Sequence, residues 1–224
     1  MPKLWLLVVI YLYFGVICSF SSISPSRAGQ GPYMSPAQDT GEIFVVKRDG
    51  RREAVSFDKI TRRISRLAAD LDTAFVSPIL VAQGVVKGLY SGVSTSELDN
   101  LAAETAAYMS AEHPQYGQLA ARVAVSNLQK DTSSSFAESV DLLYNWIDPK
   151  TEKRAGFISD EVYRIVQENK DLIESKIVHE RDFLYDYFGF KTLEKSYLLR
   201  AGEKIVERPQ YMIMRVALGI HGTD

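Results

Sequence analysis

Apolar residues recur at helical spacing in a series of short segments, and this periodicity constrains the fold more than any other feature of the chain. The first segment places four apolar residues at i, i+4, i+7 and i+11, on one face of a helix: Ile60, Ile64, Leu67 and Leu71. Asp58 is well placed to cap this helix. Three further helices are predicted, over about 78–90, 94–109 and 116–130. The predicted inner face of the helix at 94–109 consists of Leu98, Leu101, Ala102, Thr105 and Met109, and that of the helix at 116–130 of Leu119, Ala120, Val123, Ala124 and Leu128. Their apolar faces have to be buried against one another, so a small four-helix bundle is expected.

A β-hairpin is predicted ahead of the bundle. The Asp-Gly step at residues 49–50 stands between two β-prone runs, about 43–48 and 52–56. Glycine accepts the positive φ that a tight turn demands, so the step favours a hairpin turn. Within the bundle, Ser94 and Glu97 have the spacing of a capping box, which marks the start of the third helix.

A second group of helices is predicted after a Ser-rich joint, DTSSSF, at residues 131–136. Its helical segments are expected at about 136–147, 159–168, 170–178, 191–200 and 209–220. The predicted fold class is therefore mainly α, with a β-hairpin capping a small four-helix bundle in residues 43–134. A second, all-helical domain is predicted in residues 135–224.

The N-terminal part of the sequence has a different character. Residues 1–20 form an apolar, signal-like segment, and residues 21–42 are rich in Ser, Pro and Gly and are expected to be disordered. Two interpretations stay open. The segments together could be a two-part organelle address, or residues 1–33 could come from an over-extended gene model whose real start is Met34. The second interpretation implies a cytoplasmic location and the first an organelle.

Cysteine and histidine usage excludes several kinds of site. Cys18 is the single cysteine of the sequence. Residues 19–224 therefore offer no disulfide, no zinc ribbon and no cysteine nucleophile. The three histidines, His113, His179 and His221, are far apart and show no metal-ligand spacing. No protein-bound metal is expected in this part of the chain.

The predicted hairpin is unusually basic, with Lys47, Arg48, Arg51 and Arg52 close together. Three interpretations compete. A solvated basic surface is the commonest meaning of such a run. A nucleic-acid interface is disfavoured because aromatic interleaving is missing and the whole chain carries a formal charge of −2. A nucleoside triphosphate site needs converging cationic groups, which the hairpin and Lys59 could supply together with a helix N-terminus.

Several motifs resemble one enzyme family. The stretch VVKRDGRREAVSFDKI resembles the opening of the ATP-cone, the regulatory nucleotide-binding domain of ribonucleotide reductases. YFGFKTLEKSYLL and ERPQYMIMRVALGIH resemble segments of the class I large subunit of the eukaryotic type. The resemblance runs in unbroken order from about Ile43 to Thr223.

The resemblance implies a set of nucleotide contacts. Lys47 and Arg48 match the family's hairpin contacts, Thr95 and Asp99 its ribose-side positions, and Lys130 a phosphate-binding lysine. A second contact segment is implied at Glu53, Ala54, Val55, Ser56, Phe57, Asp58 and Lys59, with Glu53 at the base or ribose and Lys59 at a phosphate. The i, i+4 spacing of Thr95 and Asp99 agrees with this, because it puts both on one helical face. Where some relatives carry a further lysine, this chain has Ser133.

The implied function is regulatory. ATP as activator and dATP as inhibitor, each with Mg²⁺, would control the reduction of ribonucleoside diphosphates by a thioredoxin- or glutaredoxin-dependent enzyme. The implied partners are a radical-generating small subunit and further copies of the large subunit, and no nucleic acid. The family's catalytic cysteines are expected downstream, so this chain by itself is predicted to be inactive. The alternatives are a stand-alone ATP-cone module without reductase activity and a cell-surface protein anchored by residues 4–20.

Overall fold

The computed structural model describes residues 43–222. The predictions for residues 1–42 and for the last two residues lie outside this range. The elements of the first part are β1 (Phe44–Val46), β2 (Arg52–Ala54), α1 (Phe57–Leu67), α2 (Pro78–Lys87), β3 (Val93–Ser94), α3 (Thr95–Met109) and α4 (Gln115–Asp131). Those of the second part are α5 (Phe136–Tyr144), α6 (Asp160–Glu168), α7 (Lys170–Lys176), a 3-10 turn (His179–Leu184), α8 (Tyr187–Ser196), β4 (Arg200–Ala201), β5 (Lys204–Ile205) and α9 (Pro209–His221). The predicted mainly helical fold with a β-hairpin on helices is confirmed.

The hairpin belongs to a three-stranded sheet of order β2-β1-β3. β1 pairs antiparallel with β2 and parallel with β3, so that Val45 lies opposite both Glu53 and Val93. Gly50 adopts the positive φ of 80° that the Asp-Gly step predicts. The third strand was not predicted because it is two residues long and runs directly into α3, which leaves no alternating pattern to detect.

Local caps fix where the helices of the bundle begin. The capping box of Ser94 and Glu97 is confirmed, with both reciprocal hydrogen bonds present. The prediction for the first helix is wrong, because Ser56 and not Asp58 is its N-cap, accepting a hydrogen bond from the Lys59 backbone N–H at 3.4 Å. Asp58 lies within the first turn, where its negative charge still favours the positive end of the helix dipole.

The core of the bundle contains buried residues from all four of its helices. The predicted apolar face of α4 is confirmed, with Leu119, Ala120, Val123, Ala124 and Leu128 all buried. On α3 the buried face is displaced from the predicted one and consists of Asp99, Ala102, Ala103 and Ala106. Small alanine side chains let the two helices approach closely, so the larger Leu98 and Leu101 lie at the margin of the core, partly buried.

The second part has its own core, built around Phe136, Val140, Leu143, Val166 and Tyr211. The predicted limits of two helices were wrong. α5 ends at Tyr144, and α8 spans Tyr187–Ser196 instead of 191–200. Asp186 sets the start of α8 by accepting a hydrogen bond from the Gly189 backbone N–H at 2.5 Å.

The second part is also not wholly helical, since β4 and β5 form a small antiparallel hairpin around Gly202. α8 contributes Phe190 and the following loop contributes Leu198 to the core of the bundle. Residues 43–222 lie in one compact unit, and the predicted domain limits at residues 134 and 135 stay a prediction. No helix between residues 43 and 222 is both long enough and apolar enough to cross a lipid bilayer.

Close packing of α2 on α3 depends on Gly84. A Cβ atom added at Gly84 would lie 2.6 Å from the Thr105 methyl carbon, which is closer than carbon atoms tolerate. Overpacking of a core costs about 1–3 kcal/mol, against about 1 kcal/mol gained when alanine replaces a helical glycine. We therefore expect Gly84→Ala to lower the free energy of unfolding by about 1 kcal/mol in urea denaturation.

The same substitution made together with Thr105→Ser supplies the control. Serine lacks the obstructing methyl group and keeps the hydroxyl that donates to the Leu101 carbonyl at 2.7 Å. In that background we expect Gly84→Ala to be neutral or stabilising by up to about 1 kcal/mol. An equal loss of stability in both backgrounds would contradict this account of the helix contact.

Candidate functional site

A cleft of about 540 Å³ opens between the hairpin, α1, α3 and the end of α4. Each wall is supplied by a different element. The hairpin contributes Lys47 and Arg48, and the chain from β2 into α1 contributes Glu53 to Ser56 and then Lys59. Thr95 and Asp99 come from α3, one helical turn apart. The cleft thus collects residues that are more than eighty positions apart in sequence.

Cationic side chains converge on this cleft from three elements: Lys47, Arg48, Lys59, Arg63 and Lys130. Their carboxylate partners are fewer: Glu53, Asp99 and Asp131. A further pair at the hairpin tip, Arg51 with Asp49, is self-contained, with its charged atoms 2.7 Å apart. The cleft therefore carries an excess of positive charge although the whole chain is slightly negative.

The Asp99 carboxylate is the buried centre of the site. Only 5% of Asp99 is exposed. Arg63 donates to both of its oxygens, from Nε to Oδ1 at 2.5 Å and from Nη2 to Oδ2 at 2.9 Å. Lys130 donates to Oδ2 at 3.2 Å, and the Arg48 guanidinium lies 3.7 Å away. A buried carboxylate is costly unless it is paired, and here three cations compensate it.

Arg48 connects the hairpin to α4. Its Nε donates to Asp131 Oδ1 at 2.5 Å and its Nη2 donates to Asn127 Oδ1, also at 2.5 Å. Its Nη1 lies 3.5 Å from the Thr95 hydroxyl on α3. Arg48 therefore closes one end of the cleft by contacts with two helices of the bundle.

Glu53 occupies the opposite side of the cleft, between two lysines. Lys47 Nζ lies 3.1 Å from its carboxylate, and Lys59 forms a second ion pair with it. Hydrogen bonds from Lys59 and from Lys47 lower the pKa of Glu53 below its ordinary value. Glu53 is thus ionised at neutral pH and is shared as an ion-pair partner by the two lysines.

The surroundings of Lys130 disfavour its positive charge. Burial lowers the pKa of its ammonium group, the attraction of Asp99 opposes that effect, and the neighbouring Arg63 charge adds to it. A further anion in the cleft would favour the charged form of Lys130. Lys130 is therefore well suited to bind an added negative group.

Most of the predicted contact residues lie together. Ten of the twelve line the cleft, which are Lys47, Arg48, Glu53, Ala54, Val55, Ser56, Lys59, Thr95, Asp99 and Lys130. Phe57 and Asp58 do not, because both are exposed in the first turn of α1. The role of the set in nucleotide binding stays a prediction.

Arg63 lines the cleft but was not among the predicted contact residues. It follows Lys59 by four residues, so that the two side chains share one face of α1, and this spacing could have revealed it. Asn127 and Asp131 were missed as well, because nothing in the local pattern shows that they meet Arg48. Within residues 43–222, no group of three or more His, Cys, Asp or Glu side chains is arranged to hold a metal ion.

Two protein families match the chain. The ATP cone domain family matches residues 43–131, the segment that builds the cleft. The all-alpha domain of ribonucleotide reductase matches residues 183–224. The chain therefore contains an ATP cone domain, followed by a segment that matches the all-alpha domain of ribonucleotide reductase.

Individual relatives are consistent with both matches. The chain is 58% identical over 182 residues to ribonucleoside-diphosphate reductase large chain 2 of Saccharomyces cerevisiae, covering 81% of this chain and 21% of the yeast protein. It is 59% identical over 186 residues to the large subunit of Dictyostelium discoideum, covering 82% and 21%. To the large subunit of Caenorhabditis elegans it is 57% identical over 187 residues, covering 84% and 24%.

The chain spans only about a fifth to a quarter of the length of these relatives. It belongs to the ribonucleotide reductase large-subunit family of the eukaryotic type and corresponds to the N-terminal region of those subunits.

Asp99 is expected to be critical for stability. Asp99→Asn leaves Arg63, Lys130 and Arg48 without their common counter-charge. Breaking a buried ion pair costs about 3–5 kcal/mol. Because the three partners are partly exposed, we expect a loss of about 3 kcal/mol in urea denaturation, at the low end of that range.

Asp131→Asn provides the matched control. Asp131 pairs with Arg48 at 2.5 Å, but its side chain is 33% exposed. An exposed ion pair contributes about 0–1 kcal/mol, so we expect this variant to lose less than about 1 kcal/mol. Equal losses for the two variants would show that Asp99 has no special place in the fold.

Proposed function

We propose that the cleft binds ATP and dATP as Mg²⁺ complexes, and that this binding is the regulatory function of the chain. The convergence of five cationic side chains in the cleft of a matched ATP cone domain carries the proposal. A nucleoside triphosphate carries several negative charges and requires such a cluster. The region from Lys47 to Lys59 with Lys130 would hold the phosphates.

Binding in this cleft takes the form of an exchange of charge partners. A phosphate that contacts Lys47 and Lys59 takes the place of the Glu53 carboxylate. A second phosphate, in contact with Lys130, becomes an anionic partner of that lysine in addition to Asp99. The burial of Asp99 and its two bonds to Arg63 support the idea that this pair stays intact during the exchange.

ATP and dATP share a base and a triphosphate, so their discrimination has to come from the ribose. Thr95 and Asp99 are our candidates for the ribose side of the cleft. The two oxygens of Asp99 already accept hydrogen bonds from Arg63 and Lys130. A sugar hydroxyl beside Asp99 would therefore act by altering this shared ion cluster, or would contact the Thr95 hydroxyl instead.

The wider function is proposed from the relatives. The printed names of the matched proteins are those of ribonucleoside-diphosphate reductase large subunits. We infer that nucleotide in the cone controls the reduction of ribonucleoside diphosphates, in an assembly with a small subunit and further large subunits. A cytoplasmic or an organellar location of that assembly is inferred from residues 1–33, which lie outside the described part of the chain. A stand-alone regulatory module remains the alternative, and the match to the all-alpha domain favours the reductase.

Calorimetry with ATP and with dATP tests the proposal. The parent chain is expected to release heat on binding each nucleotide, with one binding site for both. Lys59→Ala removes a cation of the cleft and should weaken the binding of ATP and of dATP equally. We expect a loss of about 1.5 kcal/mol, the lower end of the range for a hydrogen bond to a charged group. The lower end applies because the Lys59 side chain is 63% exposed.

Arg62→Ala is the matched control, since Arg62 is an exposed cation of α1 that does not line the cleft. The affinity of this variant for ATP and for dATP should equal that of the parent chain. Absence of heat with both nucleotides at millimolar concentration would remove the proposed function. The ratio of ATP to dATP affinity in Asp99→Asn tests the ribose assignment separately, and an unchanged ratio would exclude Asp99 as the sensor.

The pH dependence of binding should reveal Lys130. Its pKa is lowered by burial, so as the pH rises toward the ordinary lysine value of 10.5 it loses its charge before an exposed lysine does. We expect ATP affinity to fall across this alkaline range, because the bound phosphate favours the protonated form. Lys130→Gln should bind more weakly at neutral pH and should show a shallower alkaline decline. An identical alkaline decline in parent and variant would contradict this role.

A further inference from the structure

Arg208 is a buried cation of the second part of the chain that the proposed site does not use. It immediately precedes α9 and is only 4% exposed. Its Nε donates to the Thr132 hydroxyl at 2.9 Å. Its Nη2 donates to the backbone carbonyls of Gln129 at 2.9 Å and Thr132 at 3.0 Å. A third nitrogen, Nη1, lies 3.0 Å from His179 Nδ1.

These contacts hold the C-terminal end of α4. The last carbonyls of a helix have no partner within the helix, and the helix dipole makes this end attractive to a cation. Arg208 satisfies two carbonyls there with one guanidinium group. The chain leaves the helix at Thr132 in an extended conformation, so that Arg208 also fixes the direction of the exit.

The same turn of α4 faces the nucleotide cleft on its other side. Lys130 and Asp131 lie between the two carbonyls that Arg208 holds. Lys130 donates to Asp99, and Asp131 accepts from Arg48. A shift of this turn would therefore move two charged groups at one end of the cleft.

The surroundings of Arg208 make the contact rigid. His179 Nε2 lies 3.1 Å from the Ser134 carbonyl, which fits Nε2 as the donor and leaves Nδ1 to accept from Arg208. Gln129 donates to the His179 carbonyl at 3.0 Å and to Asp182, which is fully buried, at 3.3 Å. Each of these groups is fixed by another, so Arg208 has little freedom to follow a movement of α4.

We propose that Arg208 is a positioning residue for the nucleotide cleft, which sets the place of Lys130 and Asp131 by holding the end of α4 from the second part of the chain. This inference rests on the proposed function, since it concerns the same cleft. Arg208 lies outside the segment matched by the ATP cone family, so the affinity of the cone for nucleotide depends on a residue beyond it.

The test uses the full chain with Arg208→Gln, Arg208→Lys and a matched control, Arg215→Gln. Arg215 is on α9, and it donates to the buried Glu207, from Nε at 2.5 Å and from Nη2 at 3.1 Å, and not to α4. Urea denaturation measures the stability of each variant and calorimetry measures its ATP affinity under conditions where it is folded. Both glutamine variants break buried hydrogen bonds of an arginine, so both are expected to lose stability.

Only Arg208→Gln is expected to lose ATP affinity, by about tenfold, which is about 1.4 kcal/mol. Arg215→Gln should remain within about twofold of the parent, since it does not touch the cleft. Arg208→Lys can still donate to a carbonyl and should recover part of the affinity. In a Lys130→Gln background, Arg208→Gln should add less than about twofold, because residues that act through one another are not additive.

The possible failures can be told apart. A parent chain that binds no ATP overturns the proposed function and this inference with it. A parent that binds, together with an Arg208→Gln variant within about twofold of it, overturns the inference alone. Equal losses in Arg208→Gln and Arg215→Gln, or an undiminished loss in the Lys130→Gln background, would also overturn it. If Arg208→Gln does not fold, Arg208→Lys decides: a loss of affinity supports the inference, and the parent's affinity overturns it.

Discussion

The ion cluster at Asp99 is the interaction on which the rest of the site depends. A carboxylate that is almost fully buried requires compensation, and Asp99 on α3 obtains it from Arg48 beside β1, Arg63 on α1 and Lys130 on α4. Four elements of the first part are thus tied at one point. The small residues of α3 and α4 permit this, because Ala102, Ala103 and Ala106 bring the helices close enough for these side chains to meet.

The cations of the cleft are already assembled without a ligand, and carboxylates of the chain balance only part of their charge. Glu53, Asp99 and Asp131 hold the cations in place before any ligand arrives, so little side-chain ordering remains to be done on binding. A ligand has to be a stronger anionic partner than an exposed carboxylate, which favours polyphosphates over single charges. The end of α4 then connects this cleft to the second part of the chain, where Arg208 and its buried neighbours hold the carbonyls around Lys130.

Local signals in the sequence predicted the local structure well. The Asp-Gly turn, the capping box at Ser94 and the apolar face of α4 each depend on residues within a few positions of one another. The residues of the site that were not predicted depend on distant partners. Asp99 could be recognised as buried only once Arg63 and Lys130 were seen around it, and Arg208 meets α4 across more than seventy residues of sequence. Most of the contact residues that the family resemblance implied line one cleft. Phe57 and Asp58 do not, because a contiguous sequence motif also includes residues that face away from the cleft.

The most direct measurement of the central claim is a crystal structure of the chain with ATP and Mg²⁺. The account predicts the triphosphate in the cleft between the hairpin, α1 and α4, with phosphate oxygens in hydrogen-bond distance of the ammonium groups of Lys47, Lys59 and Lys130. It further predicts that the Glu53 carboxylate has moved away from Lys47 and Lys59, while the Asp99 carboxylate still accepts hydrogen bonds from Arg63. A nucleotide bound elsewhere on the chain, or bound in the cleft with all three carboxylates still paired as they are without ligand, would contradict the account.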